Sequence, residues 1–279
     1  MDYSKIAYAK VNLTYDKELF IKEYDEHILP DSIPIMNGFW LNKTLSKLNT
    51  LWGMIPQDLY ENAYCWIFSK ETNKFEKLTE NRIPSWQMAQ LMYVDAETID
   101  DDLRRVSGNG YKGGTTLRNM AHNKEWKIKP EFKDLNIVKY MQGLPLKRII
   151  SMHCVSLESG QFATIHRDSK ATNNGTSNPK NYMANLGYIV LTFNISDGGV
   201  PLYWALDGEE SKIPYKVNDD VYITNDYFLH GVPVTTSRRR QIRVTGIPDE
   251  NFESLIDKNT MITIPDDYDY NDIWGIDNR

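Results

Sequence analysis

From about Lys147 onward the pattern of the chain changes to short β-rich runs, largely apolar, separated by polar turn residues. The runs are Arg148–Leu157, Gln161–His166, Gly187–Ile195, Val200–Leu206, Lys212–Lys216, Asp220–Thr224, Gly231–Thr236 and Arg240–Ile247, divided by segments such as Glu158-Ser-Gly160 and Ser196-Asp-Gly-Gly199. Runs of this kind at this spacing, without helical periodicity between them, predict eight short strands in a double-sheet jelly roll or barrel. Nothing between the runs is long enough for the crossover helices of a parallel sheet. The interval Asp168–Asn185 is longer, rich in Asn, Ser, Thr and Lys and without apolar pattern, which suits a lid over a site better than a simple connection.

The first 140 residues are mixed. Helical patterning is expected over Leu41–Leu51, Ser85–Tyr93 and Asp95–Val106, the last with acidic residues at its start and Arg104-Arg105 near its end. It runs into Ser107-Gly-Asn-Gly-Tyr-Lys-Gly-Gly114, which is a loop. Gly114 is followed by Thr115-Thr116 rather than the Lys-Ser/Thr pair of a phosphate cradle, so a mobile loop near a substrate mouth is the expectation. The organisation read from these patterns is a mixed α/β region over 1–140 packing on the core, a β core over 141–250, and an acidic, aromatic segment over 251–279 with Tyr268, Tyr270 and Trp274.

Composition narrows the function. With 32 basic and 38 acidic residues the net charge is −6, which disfavours avid nonspecific binding to nucleic acid. Cys65 and Cys154 are the only cysteines, too few for a disulfide framework or a four-cysteine zinc site. Charges interrupt every apolar run of the N-terminus, and no stretch approaches the roughly 18 apolar residues that cross a bilayer. A soluble, cytoplasmic protein without a membrane partner is expected.

The candidate chemistry lies in the β-rich half. On a strand, residues i and i+2 share a side, so His166-Arg-Asp168 offers an imidazole and a carboxylate together. The pair alone is a weak signal, because five His and 38 acidic residues make one such pair close to chance. Its setting strengthens it: the pair closes a β-run after a glycine turn, and His230, the only later histidine, sits near the end of the β-rich half. Two imidazoles and one carboxylate on one face of an ion, with the other positions open, form the donor set of a non-haem iron(II) oxygenase. His166, Asp168 and His230 are therefore the candidate metal ligands and catalytic centre. His153 reads as a hydrogen-bonded core residue, and His27 and His122 have no carboxylate at i+2.

A cluster of arginines follows in Arg238-Arg-Arg-Gln-Ile-Arg243, suited to an anionic counterpart. Alternation puts Arg240, Ile242 and Val244 on one face and Arg239, Gln241 and Arg243 on the other. If the apolar pair faces the barrel, Arg240 points inward beside the metal. Arg243 is the alternative.

Together these residues resemble the 2-oxoglutarate/iron(II)-dependent oxygenases, whose pattern is His-x-Asp, a distal His, and an Arg or Lys about ten residues further on the last barrel strand. Here it reads His166-Arg-Asp168, His230 and Arg240. Gly160-Gln-Phe-Ala-Thr-Ile-His166 and the approach Lys216–His230 are similar to the aspartyl/asparaginyl β-hydroxylase branch, while the carboxylate at Asp168 is similar to the prolyl hydroxylase pattern. The likeness covers about residues 147–247. It implies a mainly β fold with flanking helices around a double-stranded β-helix (jelly-roll, cupin-like) core. It further implies Fe(II), 2-oxoglutarate and O2, with ascorbate as a supporting reductant, succinate and CO2 as co-products, and Arg240 on the C5 carboxylate of 2-oxoglutarate. The substrate class implied is an amino-acid side chain, in a protein or peptide or as a free small molecule. The competing readings are a catalytically silent jelly roll used for binding and a nucleic-acid-directed oxygenase.

Overall fold

The structure is a computed structural model that describes residues 1–36, 66–69, 74–77, 84–94, 126–166, 188–196, 201–205, 215–225 and 228–266. Asp168, the Asp168–Asn185 interval, the Ser107–Gly114 loop, the expected helices Leu41–Leu51 and Asp95–Val106, Cys65, His122, and Tyr268, Tyr270 and Trp274 lie outside these residues.

The chain is mainly β with antiparallel sheets and few helices among the described residues. The strands of the β-rich half are β8 (Leu146–Leu157), β9 (Ala163–His166), β10 (Ile189–Asn194), β11 (Leu202–Ala205), β12 (Tyr215–Val217), β13 (Val221–Thr224), β14 (Leu229–Val232) and β15 (Arg239–Pro248). They divide between two sheets, and only β11 and β12 follow one another in the same one. Strands β13, β10, β15 and β8 are consecutive neighbours in the larger sheet, and β12, β11, β14 and β9 form the smaller one in that order.

The larger sheet continues beyond these four. On one edge β1 (Ile6–Lys10) pairs with β13, and β16 (Ile262–Thr263) pairs with β1; on the other, β5 (Pro84–Gln90) pairs with β8, and β2 (Ile33–Met36) with β5. The helix expected over Ser85–Tyr93 is thus corrected to two strands, β5 and β6 (Met92–Val94). The open edge of β8 offers backbone partners to Gln87–Gln90, and a ladder of this kind overrides local helical periodicity. Two further pairs, β3 (Trp66–Ser69) with β4 (Lys74–Lys77) and β6 with β7 (Trp126–Ile128), stand outside the two main sheets.

The two faces of the larger sheet differ in kind. One carries Met152, Cys154, Leu191, Phe193, Ile223, Ile242 and Val244, all buried in a single apolar cluster with Phe20, Tyr24, Ile28, Ile137, Val138 and Met141. The last six come from α1 (Lys17–Glu23), the π-helical segment Tyr24–Ile28 that continues it, and α2 (Asn136–Gln142). Asp16 caps α1 by accepting from Leu19 N at 3.0 Å. At the end of the same helix, the buried Glu23 carboxylate accepts from Asn136 N (2.9 Å), Asn136 Nδ2 (2.6 Å) and Ile137 N (2.9 Å), so α1 caps α2 and locks the helical layer together.

The opposite face looks toward the smaller sheet. Leu157 and Tyr222 from this face meet Ala163, Leu202, Trp204, Val217, Phe228 and Val232 in a second apolar cluster, which Tyr8 of β1 joins. Most of the rest of the face is polar although buried: Ser151, His153, Thr192, Asn194, Arg239, Gln241 and Thr245 are all nearly inaccessible.

Candidate metal centre

Strand β14 begins earlier than its pattern suggests, so His230 is the second residue of a strand rather than the residue before one. Its Cα partners are His166 on β9 and Trp204 on β11. In an antiparallel pair, directly opposed residues have Cα atoms about 4.5–5.5 Å apart. The smaller sheet thus brings together two histidines separated by 63 intervening residues of sequence. The next aligned pair is Val232 and Ala163, two residues on along β14 and three back along β9. That extra residue is a β-bulge, which changes the alternation of β9 just before His166.

Trp204 and Val232, which flank His230 across and along the sheet, both belong to the inter-sheet cluster. His230 therefore faces the space between the sheets, and its side chain is buried. Its Nδ1 lies 2.9 Å from the carbonyl oxygen of Phe228. A carbonyl only accepts, so Nδ1 carries the proton, and the lone pair of the neutral imidazole is on Nε2. This is the tautomer and orientation in which second-sphere contacts hold a metal-ligating histidine. Among the described residues no group of three His, Cys, Asp or Glu side chains could hold a metal. Of the candidate set, the His230 side chain is described, His166 is described by its strand position, and Asp168 is outside.

Arg240 does not face this space. Its Nε and Nη2 donate to the two carboxylate oxygens of Asp25 at 2.8 and 2.6 Å, and Arg238 Nη1 donates to the same carboxylate at 3.3 Å while its Nε reaches Glu158. Burial acts to raise the Asp25 carboxyl, and the hydrogen bonds and charges of Arg240 and Arg238 outweigh it, holding the group below the ordinary carboxylate range. Alternation does keep Arg240, Ile242 and Val244 on one face, but that face packs on α1 and the π-helical segment rather than on the interior. The inward expectation for Arg240 is corrected accordingly.

The same alternation turns Arg239, Gln241 and Arg243 toward the smaller sheet. Arg239 is fully buried, opposite Leu157. Burial pushes its guanidinium below the ordinary value and Arg243 adds to this by repulsion; the Tyr222 hydroxyl opposes both through its charge and a hydrogen bond. The group stays charged at neutral pH. Tyr222 also accepts from Gln241 Nε2 at 2.7 Å, which fixes the hydroxyl on this face. Arg243 stands level with Thr192 and His153, and Thr245 is opposite Ser151. His153, expected as a core histidine, is buried on this polar face next to Arg243.

The donor chemistry fits an iron(II) ion and a dicarboxylate. His230 presents Nε2, a second histidine is opposed to it in register, and two guanidinium groups occupy the facing sheet. Five buried polar groups have no hydrogen-bond partner among the described residues, and three of them are the Ser151 and Thr245 hydroxyls and the indole N–H of Trp204; the others are Ser156 Oγ and Trp126 Nε1. Groups of this kind gain from a polar ligand placed against them.

No family model matches the chain, and no curated protein matches it. Among solved structures it is similar to an oxidoreductase of the 2OG-Fe(II) oxygenase family from Burkholderia pseudomallei (10% identity, 85% of this chain and 95% of that one, TM-score 0.29). It is also similar to a Pseudomonas putida prolyl-4-hydroxylase (10% identity, 84% and 100%, TM-score 0.29). A third is a prolyl hydroxylase in complex with a hypoxia inducible factor peptide fragment, from Trichoplax adhaerens (10% identity, 85% and 91%, TM-score 0.29). No helix among the described residues is long and apolar enough to cross a membrane.

Proposed function

We propose that the chain is a 2-oxoglutarate- and Fe(II)-dependent dioxygenase that hydroxylates an amino-acid side chain, in a protein or peptide or as a free small molecule. The observation that carries this reading is the register of the smaller sheet, which opposes His166 and His230 across from a buried face bearing Arg239. The strand order supports it too: β8, β10, β13 and β15 in one four-strand unit and β9, β11, β12 and β14 in the other follow the pattern of a double-stranded β-helix.

His166, Asp168 and His230 would hold the iron. The chemistry iron(II) supplies there is the coupling of dioxygen reduction to oxidative decarboxylation of 2-oxoglutarate, giving succinate and CO2. The protein's own part is positioning. The Phe228 carbonyl keeps His230 in the tautomer with the lone pair on Nε2. Arg239, rather than Arg240, would grip the C5 carboxylate of 2-oxoglutarate, with Tyr222 holding the guanidinium in place. Trp204 and Phe228, packed edge-to-face with centroids 5.6 Å apart, close the space behind His230 to water.

Purified protein supplied with Fe(II) and ascorbate is expected to convert 2-oxoglutarate to succinate, slowly without a substrate and faster with one. Succinate release across peptide, free amino acid and nucleoside panels identifies the substrate class. Turnover insensitive to chelators would remove the iron assignment, and absence of turnover with every panel would favour a binding module.

A further inference from the structure

The interior face of β15 carries two arginines, and they stand at different depths. Val232, Ala163 and Leu157 share one apolar cluster, and Leu157 is the register partner of Arg239. The far end of β14 therefore packs at the Arg239 end of β15. His230 lies two residues before Val232, about 7 Å back along its strand, and so toward Arg243. From Arg239 to Arg243 is four residues, or about 13 Å along the strand, and Thr245 lies about 7 Å further. One small dicarboxylate gripped at Arg239 and reaching the His230 level does not extend to Thr245.

The surroundings of that far position are those of a ligand subsite. The Ser151 and Thr245 hydroxyls are opposed in register. Both are buried, at 3% and 1% exposure, and neither has a hydrogen-bond partner among the described residues. Arg243 precedes them on the same face, flanked by His153 on β8 and Thr192 on β10. Beside them Val190, the register partner of Thr245 on β10, and Tyr188 form a small apolar cluster with Ile150. Positive charge, two hydroxyl donors and an apolar wall together match an organic acid: the donors take the carboxylate and the wall takes its carbon skeleton.

We propose that Arg243, Ser151 and Thr245 form a second anion subsite, on the far side of the paired histidines from Arg239, which receives a carboxylate carried by the organic substrate. For its catalytic meaning this rests on the oxygenase reading; as a binding site it stands apart from it.

Two measurements on the full chain test the subsite. In the first, benzoate and its uncharged isostere benzamide are titrated by ligand-observed NMR against metal-free protein, with and without excess 2-oxoglutarate. Benzoate is expected to bind at least about tenfold more tightly, the scale of a charged hydrogen-bonded contact. Arg243→Gln should erase that preference. Equal affinities in the wild type, or a preference that survives Arg243→Gln, would overturn the proposal. Thr245→Val supplies a variant that keeps the shape of the core: it should weaken benzoate while leaving Tm unchanged or raised, because the hydroxyl it removes is unsatisfied in the free protein. A fall in Tm with unchanged benzoate affinity would show the hydroxyl to be structural and would count against the subsite.

In the second, succinate release is followed with carboxylic acids each paired with its primary amide. Acids should stimulate turnover and amides should not, and Arg243→Gln should raise KM for the stimulating acid at least about tenfold. A rise in KM for 2-oxoglutarate instead would assign Arg243 to the cosubstrate and end the proposal. Absence of any iron-dependent turnover would remove the oxygenase reading alone, since the benzoate titration needs no metal.

Discussion

His166 and His230 occupy directly opposed positions across β9 and β14, one at the last residue of its strand and the other at the second. An antiparallel pair holds opposed residues at nearly fixed separation, so the spacing between the two does not depend on the polar interval that follows His166. If both bind iron, removing either leaves too few donors. His166→Ala, Asp168→Ala and His230→Ala are each expected to lose stoichiometric Fe(II), measured by metal analysis after gel filtration, and to abolish succinate formation. A variant that retains both would exclude that residue as a ligand.

The two neighbouring arginines should separate cleanly in kinetics. Arg239→Lys loses the paired geometry of the guanidinium fork, so KM for 2-oxoglutarate should rise by about tenfold to a hundredfold. Arg240→Ala should leave that KM within about twofold while lowering Tm, since its partner is Asp25 on the helical layer. The opposite result, with Arg240 governing KM, would restore Arg240 as the cosubstrate residue.

Asp25 makes stability depend on acid. Its folded pKa is depressed by Arg240 and Arg238, so it binds fewer protons when folded than when unfolded. The contribution is present above the unfolded value near 4 and disappears as pH falls through the lower folded value. Urea midpoints from pH 6 to pH 2.5 should therefore fall less steeply for Asp25→Asn than for the wild type. Identical slopes would show that the ion pair does not contribute.

Gly246 interrupts the register of β15 against β8, where a Cβ would meet the Arg148 carbonyl oxygen at 2.7 Å and Leu146 Cδ1 at 2.9 Å. The first contact is backbone and cannot move cheaply. Gly246→Ala should cost about 1–3 kcal/mol in chemical denaturation, as overpacking does. A neutral substitution would mean that the two strands separate there without cost.

Much of this arrangement was legible in the chain. Six of the eight expected β-runs overlap observed strands substantially; the run expected from Gly231 begins at Leu229 instead, and the Lys212–Lys216 run is shifted to Tyr215–Val217. Period-two alternation also grouped Arg240 with Ile242 and Val244. What it left open was the direction of that face. Arg239 could have been found by asking where the apolar sides of α1 and α2 go, because Phe20, Tyr24, Ile137 and Met141 need an apolar sheet face to cover. Given that helical layer, the Ile242–Val244 side must turn outward and Arg239 inward.

By itself, then, the sequence determined most strands of the β-rich half, the alternation along β15, and the residue types that make an iron and dicarboxylate site conceivable, since these are local properties set by residue pattern and side-chain chemistry. Tertiary structure alone decided that His230 lies inside a strand opposite His166, that the β9 bulge sits just before it, and which face of β15 looks inward. Register and facing depend on partners distant in sequence, on hydrogen bonds between strands and on which apolar surface the helices cover; no local pattern encodes them.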